Sequence, residues 1–243
     1  MNETAAATET PGEFDRLTGV LFDPKATFPD VVARGRWWVP MLLLALLGIG
    51  FTFAYTEHVG WQRFMREQIE ASPRTQQLSA EQKERIIEQQ ARLAPIFGYV
   101  GSILFPLILA LILAGVFLFV FNVLVGNEIP FAAAFAVSSY AALPYLLRSA
   151  VAFALLYLKD PADFDLQNPV ASNLGALLPA DWPHWLTSTA ASVDLFNLWV
   201  LLLLATGFAA AARRMKWSKA CAWVVALWVV WLVVKAGWVS IWS

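Results

Sequence analysis

Residues 93–125 are 33 consecutive positions without a charged side chain. A helix that crosses a bilayer needs ~20 apolar residues, and a run this long has room for a tilted or kinked span with an extension beyond it. Four further apolar segments, at about 37–56, 131–158, 192–212 and 217–242, follow the same rule. Composition agrees, with 59% hydrophobic and 14% charged residues against ~45–50% and ~25% in soluble domains. An ordinary soluble globular protein is excluded. The expected fold is all-α: a polytopic integral membrane protein with five transmembrane helices, short interfacial N-terminal helices and an extramembrane helical hairpin.

The segments between the spans divide the chain further. Residues 1–13 are small, acidic and polar, and read as a disordered tail. They lack the basic start and apolar centre of a cleaved secretory signal. In residues 14–36, Phe14, Leu17, Val20, Leu21, Phe22, Phe28, Val31 and Val32 recur at roughly helical spacing, broken by Gly19, Pro24 and Pro29. This predicts two short amphipathic helices on the membrane surface, the alternative being an irregular linker. The polar stretch 57–92 carries six basic and six acidic residues. Trp61, Phe64, Met65 and Ile69 make one apolar stripe there, Pro73 follows, and Ser79 with Gln82 forms a capping box. It reads as a hairpin with a solvated face. Pro106 is the expected kink of the second span, and Pro144 and Arg148 interrupt the third. The short turn 126–130 makes spans two and three antiparallel neighbours.

Five spans place the termini on opposite sides. With the N-terminus inside, eight bases fall on the inner side and seven on the outer, so the raw count barely decides. Their density favours that orientation. Arg34 and Arg36 abut the first span, and Arg213, Arg214, Lys216 and Lys219 crowd one short loop without an acid.

The stretches Leu17–Phe28 (LTGVLFDPKATF), Ser192–Phe208 (SVDLFNLWVLLLLATGF) and Ser218–Gly237 (SKACAWVVALWVVWLVVKAG) resemble bacterial members of the Yip family, the Ypt-interacting proteins. The similarity runs from about Phe14 to the C-terminus and rests on Asp194, Phe196, Trp199, Gly207, Lys219, Ala220, Lys235 and Gly237 at the family's spacing. It implies a five-span helical domain over 37–243, a cytoplasmic N-terminus and, for a bacterial relative, the inner membrane. For eukaryotic members it also implies non-enzymatic roles in vesicle traffic and contact with small GTPases. The chain departs from those members in lacking a DLYGP-type motif, with 36 residues ahead of the first span. That departure argues against small-GTPase binding.

Charged groups inside spans are costly and mark candidate sites. Arg148, Asp194, Asn197 and Lys235 all fall in the outer half of the bilayer, because the span ends nearest to them share one side. Asp194 is the single acid near two bases, with Asn197, Tyr140 and Tyr145 as further hydrogen-bonding groups. One positive charge is left over for an anionic lipid headgroup or an acidic partner. The competing reading is structural: Asp194 caps its helix, Arg148 meets carbonyls at the Pro144 break, and Lys235 snorkels outward. By helical rise Arg148 lies about 12 Å deeper than Asp194. Lys235 shares a helix face with Trp228, Trp231, Trp238 and Trp242, which suits either a cation over indole rings or an ordinary interfacial anchor.

Other chemistry lacks its motifs. His58 and His184 sit in separate loops without ligand spacing, and the single Cys221 permits no internal disulfide. No phosphate-binding glycine loop occurs, and Ser138 and Ser139 stand outside a nucleophile-elbow context, where they are expected to bond carbonyls one turn back. No catalytic residues, metal or cofactor are expected, and a net charge of −1 offers nothing to nucleic acid. The expected partners are membrane lipids, other membrane proteins or a second copy. The expected function is a non-enzymatic membrane organiser or adaptor, the alternative a small transporter or an accessory subunit of an export system.

Overall fold

The computed structural model describes residues 12–34, 36–72, 75–179, 181–212 and 215–242. The tail up to residue 11, Pro73 and the Arg213–Arg214 pair lie outside them. Two helices open the chain, α1 (Glu13–Phe22) and α2 (Pro24–Arg34). Asp23 separates them: its carboxylate accepts the Ala26 amide at 3.4 Å, and Pro24 takes the first helical position, where its missing N–H does no harm. The linker alternative therefore gives way to helix. The apolar stripe is used within the protein, since Val20, Phe28 and Val31 are buried while Phe14 and Phe22 stay exposed.

Helix α3 (Trp38–His58) is followed by Gly60, whose φ of +81° turns the chain into α4 (Trp61–Ala71). Helix α5 (Ala80–Leu118) starts at the Ser79 capping box, where the Ser79 hydroxyl accepts the Gln82 amide at 3.2 Å and the Ser79 amide donates to Gln82 Oε1 at 2.9 Å. Its 39 residues reach about 58 Å. The hairpin's second arm and the second span are thus one continuous helix. It runs through Pro95 and Pro106, and α geometry yields instead to a wider π turn at Phe119–Leu124. Asn122 then clamps the following turn, exchanging two hydrogen bonds of 2.9 Å with the backbone of Ile129.

The third apolar segment divides at Ala142 into α6 (Phe131–Ala141) and α7 (Leu143–Leu158), with Pro144 in the first turn of α7. After an irregular stretch come α8 (His184–Ala190), α9 (Leu195–Ala211) and α10 (Trp217–Trp242). Among the described residues, four helical stretches are long and apolar enough to cross a membrane: 38–58, 80–124, 131–158 and 217–241. The fourth apolar segment, 192–212, forms the shorter, 17-residue apolar helix α9. That helix measures about 25 Å, short of a ~30 Å hydrocarbon core, because Asp194 caps it.

Helices in lipid gain little from hydrophobic burial and associate through close packing. The core is accordingly built where small side chains let helices touch. Ala114, Ala133, Ala134 and Ala136 pack beside Phe117, Phe121 and Phe208, whose rings stand 4.8–6.0 Å apart. Phe28 of α2 enters the same core over Gly207, where a Cβ would lie 2.8 Å from its ring. Between α3 and α5, Gly98 meets Thr52 in the same way, and a Cβ there would lie 2.7 Å from the Thr52 methyl. Helix α10 packs on α8 and α9 only at its edge, leaving Val229, Val230, Val233, Val234 and Ile241 exposed.

Candidate functional site

The start of α9 organises the polar groups. Ser172 and Asn173 pair in an extended bridge with Asp194 and its neighbours, the Leu195 amide donating to the Ser172 carbonyl at 3.1 Å and the Leu174 amide to the Val193 carbonyl at 3.0 Å. This holds Asp194 extended at the N-cap. One carboxylate oxygen accepts the amides of Phe196 and Asn197 at 2.9 and 3.3 Å, and the other accepts the Ser172 hydroxyl. A buried carboxylate is well placed at the positive end of a helix dipole. Its acceptor capacity is thereby used locally. Among the described residues no ion pair joins Asp194 to Arg148 or Lys235.

Four of the six expected cluster residues do come together. Tyr145 donates to Asn197 Oδ1 at 2.8 Å, and Asn197 donates in turn to the Ser192 carbonyl at 3.0 Å. Lys235 donates to Ser192 Oγ at 2.6 Å and to the Ser188 carbonyl at 2.7 Å, with its ammonium 5.6 Å from the Trp231 ring centre. The lysine is therefore turned onto the α8–α9 connection. Asp194 joins this set through the Asn197 amide. The contact also revises the depth argument. Tyr145, in the first turn of α7, reaches Asn197 in the first turn of α9, so the two helix starts lie side by side and the 12 Å offset counted along separate helices is not kept.

Arg148 makes no hydrogen bond within this set but shares a cavity lining with Tyr145 and Asn197. A chamber of about 870 Å³ lies between α3, α5, α7 and α9, roofed by residues 166–169. This size falls within the ~300–1,000 Å³ typical of ligand sites. Arg148, Tyr145, Asn197 and Gln167 supply polar lining, and Leu44, Phe51, Phe97, Phe105 and Leu109 supply apolar wall. No carboxylate, histidine or cysteine lines it, and the described residues contain no cluster that could hold a metal ion. Ser138 Oγ, on the same lining, is buried without a hydrogen-bond partner, as is Ser139 Oγ. The expected back-bonds from these serines are not made.

Tyr140 belongs elsewhere. Its hydroxyl donates to Glu13 Oε2 at 3.1 Å and so ties α6 to α1. Glu13 also accepts from Arg16 and, at 2.6 Å, from Arg36. Arg16, 2% exposed, reaches Asp30 at 2.5 Å, and Asp30 accepts from Arg34 at 2.6 Å. Burial works to raise the Glu13 and Asp30 carboxyls, but the guanidinium hydrogen bonds outweigh it and hold both below the usual carboxylate range. Burial opposes the charge on Arg16 as well, and its two carboxylates prevail and raise its pKa. Sequence reasoning counted Arg16, Arg34 and Arg36 only as topology signals. The spacings Glu13–Arg16 and Asp30–Arg34 mark the two pairs within each helix, while the Arg16–Asp30 link between the helices has no signal in the sequence.

A family model described as the Yip1 domain matches residues 18–239. No curated protein and no solved structure matches the chain.

Proposed function

This chain belongs to the Yip1 domain family and is an integral membrane protein, and from that premise we propose that it is a non-enzymatic membrane organiser or adaptor. It acts through contacts with lipids, other membrane proteins or a second copy, and requires neither nucleic acid nor a small GTPase. The reading places it in a bacterial inner membrane with five crossings, α9 being a short fourth, the N-terminus cytoplasmic and the C-terminus outside. The hairpin of α4 and the polar start of α5 then stands outside the bilayer, joined by Arg66 and Glu84 through two bonds of 2.9 Å.

The exposed flank of α10 carries this reading. A 26-residue helix with one packed edge and a row of exposed valines offers its surface to lipid and to other membrane helices. Purification of the full chain in mild detergent should recover a reproducible protein or lipid partner, and repeated recovery of the bare chain would count decisively against the reading. The transporter or accessory-subunit alternative is favoured by one observation, the chamber beside the Ala142 break with Arg148 on its wall. Solute flux across proteoliposomes that depends on Arg148 would select it.

A further inference from the structure

Arg148 is half-buried in the middle of an apolar bundle, and among the described residues it has no hydrogen-bond or ion-pair partner. A guanidinium carries five N–H donors, and a cation at membrane depth is tolerated where it meets an anion or water. The local acid does not serve, since Asp194 is committed to its own helix and to Ser172. Ser138 belongs to the same lining, but its Oγ is sealed within the packing and does not face the open space, so Arg148 is the polar group that matters there. An unpaired guanidinium on an accessible, otherwise apolar wall is expected where its complement belongs to something bound.

The rest of the chamber defines what that is. Helix α5 lines it from Phe97 to Leu113, about 24 Å at helical rise, which exceeds the ~15 Å of hydrocarbon in one leaflet. Its wall along α3 and α5 is mostly apolar, with the Thr52 and Ser102 hydroxyls turned to each other at 3.3 Å, and is low where Gly101 carries no side chain. A Cβ on Gly101 would meet no atom within 4 Å, so the space beside it is open. A long apolar slot with one unpaired cation fits an ion with a hydrocarbon tail better than a free inorganic anion.

We propose that the chamber holds an acidic amphiphile, its carboxylate or phosphate head on Arg148 beside Gln167 and Asn197 and its acyl chain along the α3–α5 wall. Arg148 supplies charge and a forked pair of donors that match either head group. Tyr145 fixes Asn197 and so shapes the polar end. The site deepens the lipid-contact part of the organiser reading and rests on it for the chamber's position within the bilayer.

The test uses the full chain, exchanged from detergent into three separate preparations containing oleate, dioleoyl phosphatidylglycerol or dioleoyl phosphatidylcholine, and read by native mass spectrometry. Wild type should retain oleate or phosphatidylglycerol in preference to phosphatidylcholine, and the better retained of the two acids identifies the head group. Arg148→Gln should reduce retention at least about tenfold, the loss of a charge-assisted contact. Gly101→Leu fills the open slot without touching Arg148 and should reduce it comparably. Equal retention of phosphatidylcholine, or no amphiphile on folded wild type, overturns the proposal. Gly101→Leu protein that is monodisperse with native tryptophan emission yet retains the acid undiminished also overturns it, whether or not Arg148→Gln folds. Loss of every protein partner with Arg148-dependent lipid retention intact would remove the adaptor reading and leave this site standing.

Discussion

Two arginines in this bundle meet opposite circumstances. Arg16 is buried between α1 and α2, and its charge is answered within the chain by Glu13 and Asp30, themselves shared with Arg36 and Arg34. Arg148 stands on the wall of a chamber with no carboxylate in its lining. Burial of an ion is tolerated only with partners that replace its water, so the first arrangement is closed and structural while the second is open toward a ligand. The contrast separates a cation that holds the fold from one available for recognition.

The strongest way to break the contrast is Arg16→Leu. Two carboxylates would lose their shared partner, and removal of one member of a buried pair costs ~3–5 kcal/mol, here toward about 3 because Arg34 and Arg36 remain. Thermal unfolding in detergent should shift down by that amount. A loss as small as that of an exposed arginine would show that Arg16 does not hold α1 to α2. Gly207→Ala should follow at about 1–3 kcal/mol, since its Cβ would lie 2.4 Å from a Val137 methyl and 2.8 Å from the Phe28 ring and overpack the place where α2 and α6 meet α9. Protease access to α1 and α2 measures it, and unchanged protection would mean that Val137 and Phe28 can both move aside.

The difference between the two regions also explains what was legible in the sequence. The apolar runs gave the order of the apolar segments, though the second merges with the hairpin arm and the third divides, and Ser79 and Asp194 marked helix starts by local chemistry. Depth was less readable. It was counted as rise along separate helices, whereas Tyr145 bonded to Asn197 shows that the α8–α9 connection reaches down beside α7. Pairing of charges failed for a related reason: one acid near two bases suggested an ion pair, but cap geometry and the Ser172 bridge claim its oxygens first. The Glu13–Arg16–Asp30 network depends on two helices folding back on each other, a tertiary fact that spacing within either helix does not contain.

Acidification sharpens the comparison more gently. Glu13 faces Arg16, Arg36 and Tyr140, and Asp30 faces Arg16 and Arg34. Their folded pKa values lie below the unfolded ones, so their contribution is complete above the unfolded range of ~3.9–4.3 and is lost as pH falls through the lower folded values. Hydrogen exchange should show α1 and α2 equally protected at neutral and mildly acidic pH and loosening below about pH 4. Loosening that begins near neutrality would assign the joint to other groups.

The smallest expected effect is a coupling energy near zero between Arg148 and Asp194. Asp194→Asn keeps a good N-cap, because the asparagine oxygen can still accept the amides of Phe196 and Asn197; it loses the charge at the helix N-terminus, about 0.3–1 kcal/mol, and the acceptor for the Ser172 hydroxyl, which must turn to accept from the new amide instead. Arg148→Leu removes a cation that no described residue partners, so in lipid-free detergent it should leave stability nearly unchanged or raise it slightly. With no shared partner, the two changes should add to within about 0.5 kcal/mol in a double-mutant thermal cycle. Coupling well beyond that would mean that Asp194 answers Arg148 after all, and the chamber would lose the unpaired charge that distinguishes it from the Arg16 joint. Additivity in detergent, together with a penalty for Arg148→Leu that emerges only when an acidic amphiphile is supplied, assigns the cation's partner to the lipid.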